Sequence, residues 1–412
     1  MNYLAGLRCV GCGKIHPHSN PLYRCPDCGD LLDPCYDYEA LKSGLDLCRI
    51  MRRPSSIWRW RELLPVEDYS KIVTLGEGGT SLLECPRLAA DIGVRMLYVK
   101  TDGLGNPTGS LKDRSVAVAA TKALEFGYRV MACDSSGNKA ASVAAYAARA
   151  GLKSVVFCPA STPKAKLAQA AYYGAKVFRV DGDYTTVNSI YRRLVHESSL
   201  GWYDSGTDNP FRYEGKKSYA YEIWDQLGQK APDRILHPAN GGMSTAKDWK
   251  GWKELKELGL VDRLPRMAIV QADTFSPIVQ SFRRNDARVV PVPGGKTYAS
   301  ALAGRDPGGL GDLAMAALRE SEGTAVAVSD SEILSSMRVL ASEGIFSEPS
   351  GSVTIEGLRK LVRSGEIGHD ETVVCVMTGV GFKDLDLIID LVEIPDVIEG
   401  TVEALEKAAA GI

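Results

Sequence analysis

The sequence predicts an α/β fold: two domains with parallel sheet, preceded by a small cysteine module. Three observations carry this expectation. From Val94 onward, short apolar runs of strand character alternate with longer, often alanine-rich stretches, the rhythm of βαβ units. The turns where strands give way to helices carry Gly, Ser and Asn, and this is where α/β folds place their ligands. At the N-terminus, Cys9-Val-Gly-Cys12 and Cys25-Pro-Asp-Cys28 form two CxxC pairs twelve residues apart.

The cysteine module comes first along the chain. Four thiolates suit a tetrahedral zinc ion, and so small a segment cannot build a core of its own. Gly13 and Gly29 follow the two pairs and let backbone N–H groups approach the sulfurs. Cys9, Cys12, Cys25 and Cys28 are the candidate metal ligands. His16 and His18, in the intervening loop, are either substitute ligands or solvated loop residues. The module is neither markedly basic nor studded with aromatics, so it reads as a structural appendage rather than a nucleic-acid reader.

Residues 30–75 read as a connecting region with short helices, one from Tyr38 to Lys42 and one from Trp58 to Leu64. A glycine-rich turn, Leu75-Gly-Glu-Gly-Gly-Thr-Ser-Leu82, follows. Strands are expected from Val94 to Lys100, Arg129 to Cys133, Ser154 to Cys158 and Lys176 to Val180. The helices between and after them run from Leu111 to Phe126, Lys139 to Ala150, Lys164 to Tyr173 and Thr185 to Glu197. The rhythm resumes with a strand from Arg234 to His237, a helix from Ser244 to Leu258, and strands from Met267 to Gln271 and Thr372 to Met377. The tail from Ile394 to Ile412 reads as a terminal helix. A length of 412 residues accommodates this organisation.

Composition narrows the function. A formal net charge of −2 gives no broad attraction to nucleic acid or to an anionic membrane. No apolar run reaches the roughly 18 residues that span a bilayer. The N-terminus leads straight into the cysteine motif without a long apolar core, so no signal peptide is expected and a cytoplasmic location is. Of the remaining cysteines, Cys133, Cys158 and Cys375 lie in apolar runs and read as buried small hydrophobes.

Lys112 is the candidate for covalent chemistry. It stands behind the turn Asn106-Pro-Thr-Gly-Ser110, just inside a helix whose downstream face is apolar. A lysine partly desolvated there has a lowered pKa and can form a Schiff base with a carbonyl cofactor. The plain alternative is a solvated charge before Asp113-Arg114. Ser135-Ser136-Gly137-Asn138 opens the next helix and offers backbone N–H groups to a carboxylate. Ala239-Asn240-Gly241-Gly242-Met243-Ser244-Thr245 lies between a strand and a helix, where glycine lets N–H groups wrap a phosphate; a tight βα turn would account for it equally well. Thr378, at the end of the strand from Thr372, can present its hydroxyl to the same crevice.

Together these motifs resemble the threonine synthase family, pyridoxal-phosphate (PLP) enzymes of fold type II with a tryptophan synthase β-like architecture. The resemblance runs from about Cys9 to Lys383. It includes Leu75-Gly-Glu-Gly-Gly-Thr-Ser-Leu82, Asn106-Pro-Thr-Gly-Ser-Leu-Lys112-Asp-Arg, Ser135-Ser-Gly-Asn138-Lys-Ala-Ala-Ser, Asn209-Pro-Phe-Arg212-Tyr-Glu-Gly and Thr378-Gly-Val-Gly-Phe-Lys-Asp. It implies a zinc-ribbon-like module over residues 1–40, a large cofactor domain over 41–116 and 216–412, and a smaller inserted domain over 117–215. By resemblance, Lys112 carries PLP, Asn138 bonds its 3-hydroxyl, Asn240, Gly241, Gly242 and Met243 hold its phosphate, and Thr378 meets its pyridine nitrogen. Ser136 and Gly137 grip the substrate carboxylate, Lys139 borders the substrate, and Arg212 faces an anionic substrate group. The activity implied is that of a lyase converting O-phosphohomoserine and water to threonine and phosphate by γ-elimination and β-addition, in a homodimer with structural zinc.

The chain differs from the family's usual residues at Leu111 (usually Phe), Lys139 (usually Thr), Lys216 (usually Gln), and Ala239 and Met243 at the ends of the phosphate loop. The added cations leave an alternative open. A specificity-diverged member would run another β- or γ-replacement or elimination on a phosphorylated or otherwise activated amino acid.

Overall fold

The computed structural model of the chain describes residues 3–410; the ends of the expected module (residues 1 and 2) and tail (residues 411 and 412) lie outside them. Three sheets organise the described residues. A central sheet runs, edge to edge, through Thr324–Val328, Arg266–Ala272, Arg234–Pro238, Thr372–Met377, Met96–Thr101 and Leu82–Glu84. All its pairings are parallel except the last. A second, wholly parallel sheet runs Lys176–Val180, Lys153–Pro159, Val130–Asp134 and Tyr203–Asp204. The chain leaves the central sheet after Thr101, builds the second sheet, and rejoins the first at Arg234.

Strand composition follows from this layering. Arg234–Pro238 and Thr372–Met377 are buried almost throughout, as strands covered by helices on both faces must be. Helices Lys112–Glu125 and Asn138–Arg149 are alanine-rich and mostly buried; small side chains let them pack closely against their neighbours. Gly215 shows how close. A Cβ there would stand 1.8 Å from the Arg114 carbonyl oxygen, so only glycine brings the segment holding Arg212 and Lys216 against the Lys112 helix.

The third sheet corrects part of the sequence reading. Leu4–Cys9 pairs antiparallel with Ile15–His16 and with Leu32–Tyr36, so a strand opens the stretch expected to be connecting region. Asp33-Pro34 hid it, since both residues disfavour strands. The module is also less of an appendage than expected. Leu4, Leu7, Leu32 and Tyr36 share one apolar cluster with Tyr221, Trp252 and Leu255 of the main body. The short helix expected from Trp58 is a 3-10 helix, Ile57–Leu63. The tail helix is confined to Val402–Ala409, where the Thr401 side chain caps it by accepting from the Ala404 N–H at 3.2 Å. The strand Thr324–Val328 adds to the expected ones; its Thr and Val residues alternate with alanine and suit a strand.

Candidate active site

Lys112 begins its helix at the C-terminal edge of the central sheet. Asp113 fixes the turn before it by accepting bonds from the Thr108 N–H (2.7 Å), the Thr108 hydroxyl (2.6 Å) and the Ser142 hydroxyl (2.6 Å). The Leu111 N–H donates to the Thr378 carbonyl oxygen at 2.9 Å, which ties Lys112 to the end of the strand Thr372–Met377. Arg114 is fully buried and paired with Asp102 and Glu222. Lys112 is thus no solvated helix-start charge. It is only partly exposed, and the packed surroundings desolvate it. Burial, then the Arg212 and Lys139 cations, bring its pKa down to about 8 against a smaller opposing pull from Glu348.

Gly137 and Ser136 form the approach to helix Asn138–Arg149. A Cβ on Gly137 would meet nothing within 4 Å, and its N–H donates to the Ser135 hydroxyl at 3.3 Å, at a positive helix end. The Asn138 amide donates to both Glu348 carboxylate oxygens, at 3.1 and 3.0 Å. Lys139 is not freely solvated either; its side chain is only partly exposed and pairs with Asp134 at 2.7 Å. Asp134 also accepts from the Tyr184 hydroxyl at 3.0 Å and from Asn188. The extra charge that Lys139 brings is therefore neutralised inside the protein.

Glu348 is the site residue that sequence reasoning missed. It precedes Pro349 in a Ser-Glu-Pro-Ser-Gly turn, its N–H bonds to the Gly379 carbonyl oxygen at 3.0 Å, and burial raises its pKa to about 7. A lone carboxylate in a Ser/Pro/Gly turn was the only signal it left in the sequence.

The phosphate-loop candidates lie at the start of helix Met243–Glu257. Gly242 is its N-cap with φ of +74°, and a Cβ there would stand 2.2 Å from the Ala314 Cβ, so the turn demands glycine. Gly241 has no neighbour nearer than 3.6 Å to such an atom. The Asn240 amide donates to the Ala301 carbonyl oxygen at 3.0 Å. The Met243 side chain lines a small cavity with Leu31, Tyr213 and Leu310, which leaves its N–H as the group able to meet a ligand.

Arg212 is buried and points one N–H at the Gly206 carbonyl oxygen (2.7 Å). Its Nε has no hydrogen-bond partner, and among the described residues it has no carboxylate partner. A cleft of about 350 Å³ is lined by Tyr184, Asn188, Thr207, Pro307 and Leu310, with Arg24 of the cysteine module also facing it. That size suits a small metabolite.

The cysteines also converge. The four Sγ atoms of Cys9, Cys12, Cys25 and Cys28 lie within 4.8 Å of one another. Cys12 and Cys25 are 3.8 Å apart and Cys9 and Cys28 are 3.4 Å apart, close to the ~3.8 Å that ~2.3 Å Zn–S bonds in a tetrahedron require. His16 Nε2 stands 3.3 Å from the Cys25 sulfur, while His18 turns to Glu67.

Residues 73–379 match the pyridoxal-phosphate dependent enzyme family, a class that the paired α/β sheets and the desolvated Lys112 suit. Threonine synthase of Methanocaldococcus jannaschii is 42% identical over 97% of this chain and 98% of its own. That of Methanosarcina acetivorans is 41% identical over 98% of each. The chain belongs to the threonine synthase family. Among solved structures, maize serine racemase superposes with a TM-score of 0.65 at 19% identity, covering 76% of this chain and 91% of that one. The L-serine ammonia-lyase of Rhizomucor miehei gives 0.64 at 18% identity, covering 76% and 96%. Those two likenesses concern the fold.

Proposed function

We propose that the protein is a PLP-dependent threonine synthase, converting O-phosphohomoserine and water to threonine and phosphate. One observation carries the reading: a desolvated amine, Lys112, feels the charge of a guanidinium, Arg212, that has no carboxylate partner among the described residues. The near end-to-end similarity to threonine synthases supports it.

The residues fit the cofactor. Lys112 is the amine that would bind its aldehyde, the N–H groups from Gly241 to Met243 would hold its phosphate, Asn138 would meet its 3-oxygen and Thr378 its ring nitrogen. Bound PLP supplies an electron sink for charge developing on the amino acid. A hydroxyl at the ring nitrogen, unlike a carboxylate, does not force a proton to stay there, and this suits elimination and replacement chemistry.

The chain's own residues do the rest. The Ser136 and Gly137 N–H groups orient the substrate carboxylate. Lys112, a free amine once released, takes the Cα proton and returns protons during the rearrangement. Arg212 matches the substrate's phosphate with its fork of donors and neutralises it as the Cγ–O bond breaks. Water then adds at Cβ, so the atoms balance as phosphate and threonine.

The same reading extends to the unit boundaries 1–40, 41–116 with 216–412, and 117–215, supported by sheet membership. It extends to zinc on the four cysteines, to a cytoplasmic homodimer, and to a small phosphorylated amino acid as substrate, with no nucleic-acid or membrane partner. The test is direct. Purified holoenzyme given O-phosphohomoserine is expected to release phosphate and threonine in equal amounts. Release of neither overturns the proposal, and phosphate without threonine points to elimination or another acceptor.

A further inference from the structure

Burying a lysine normally requires a carboxylate, and around the site the chain follows that rule. Lys139 pairs with Asp134, Lys217 with Glu214 and Glu254, and Lys247 with Asp33 and Glu214. Lys216 breaks it. The residue is 5% exposed, and among the described residues its ammonium has one hydrogen-bond acceptor, the Ser244 hydroxyl at 3.0 Å, and no ion-pair partner.

Ser244 sits in the first turn of the 15-residue helix Met243–Glu257, directly behind Asn240-Gly241-Gly242. A helix's positive end and a buried lysine repel each other unless an anion lies between them. Thr245, in the same turn, buries a hydroxyl that has no hydrogen-bond partner among the described residues. The groups facing Lys216 do not supply the anion. Burial, then Lys112 and Arg212, drive its pKa well below the lysine range, and Asp102 opposes them more weakly.

We propose that Lys216 is the counter-charge for a phosphate monoester seated at the start of helix Met243–Glu257, and that this ester is the cofactor's. The proposal rests on the reading that PLP binds at this turn. Lys216 is neutral in the free protein and takes up a proton when the phosphate dianion arrives. Its cation makes good the side-chain donor that Met243 does not supply. It is a positioning residue that holds the cofactor by its tail.

The experiment uses apoenzyme and 4-deoxypyridoxine 5'-phosphate, which carries the phosphate but no aldehyde and so cannot react with Lys112. Calorimetric titration in two buffers of different ionisation enthalpy reads affinity and proton uptake together. Wild type is expected to take up about one more proton per ligand than Lys216→Met, and to bind ~10- to 100-fold more tightly. Unphosphorylated deoxypyridoxine is expected to bind both proteins equally. Lys216→Arg, always charged, is expected to restore affinity without restoring proton uptake.

Equal affinity for the phosphorylated ligand in wild type and Lys216→Met overturns the proposal, as does an equal loss for both ligands, which marks a merely structural role. Unchanged cofactor affinity with a ten-fold rise in KM for O-phosphohomoserine assigns the ester to the substrate and overturns the cofactor assignment. Failure of wild type itself to bind the phosphorylated ligand overturns the underlying PLP reading as well.

Discussion

Lys112 shows how much chemistry one residue's neighbours can write. An amine with a pKa of about 8 is mostly protonated near pH 7 and mostly free near pH 9. Capture of PLP by the apoenzyme, trapped with borohydride, is therefore expected to quicken as pH rises through about 8 and to level off above it. Arg212→Leu removes a cation that pushes the proton off, so that midpoint is expected to rise by roughly one unit. An unmoved midpoint would show that burial alone sets it. Lys112 was legible in the sequence because its turn is local. Asp113 and Thr108, which fix that turn, are near neighbours. Glu348 was not legible, since it reaches Asn138 from 210 residues away. Nor was the neutralisation of Lys139, because the strand–turn–helix path that folds Asp134 back onto it leaves no periodic signal.

At the scale of elements, the turn into helix Met243–Glu257 separates two roles for neighbouring glycines. Gly242→Ala meets both a left-handed backbone and the Ala314 side chain. It is expected to cost about 2–4 kcal/mol in denaturant unfolding. Gly241→Ala meets no close neighbour, so it is expected to leave stability within about 1 kcal/mol while weakening cofactor affinity. Equal destabilisation by both would contradict this account of the turn. The longer helices and most strands of the smaller α/β unit, and most strands of the larger one, were readable from alternation, because strands buried on both faces are continuous apolar runs. Among what escaped were Leu32–Tyr36, whose Asp-Pro argues against a strand, the strand Thr324–Val328, and the helices Ser218–Gln226, Pro277–Arg284, Gly308–Glu320, Asp330–Ser342 and Thr354–Arg363 of the larger unit.

At the scale of the molecule, the cysteine module is wired to the site by buried charge. Its Tyr36 hydroxyl donates to Glu214 at 2.9 Å, and its Asp33 shares Lys247 and Lys250 with that same carboxylate. Glu214 stands between Arg212 and Lys216 in sequence, and it also holds Lys217 at 2.8 Å. Glu214→Gln leaves these lysines short of a partner and is expected to cost about 3–5 kcal/mol, with KM for the phosphorylated substrate rising alongside. Denaturant unfolding and steady-state kinetics check the two effects. Cys9→Ser is expected to lose the bound metal, read by elemental analysis, and to lower Tm in the same preparation. None of this wiring could be read from the chain alone, since it joins segments about 180 to 220 residues apart through side chains that look like ordinary surface charges.

The central claim is that the chain breaks the Cγ–O bond of O-phosphohomoserine and adds water at Cβ. Turnover in water labelled with oxygen-18 tests it most directly, with both products read by mass spectrometry. Cleavage at carbon leaves all four original oxygens on phosphate, so one heavy oxygen is expected in the threonine hydroxyl and none in the phosphate. Label in the phosphate, or phosphate formed with no labelled threonine, would contradict the account.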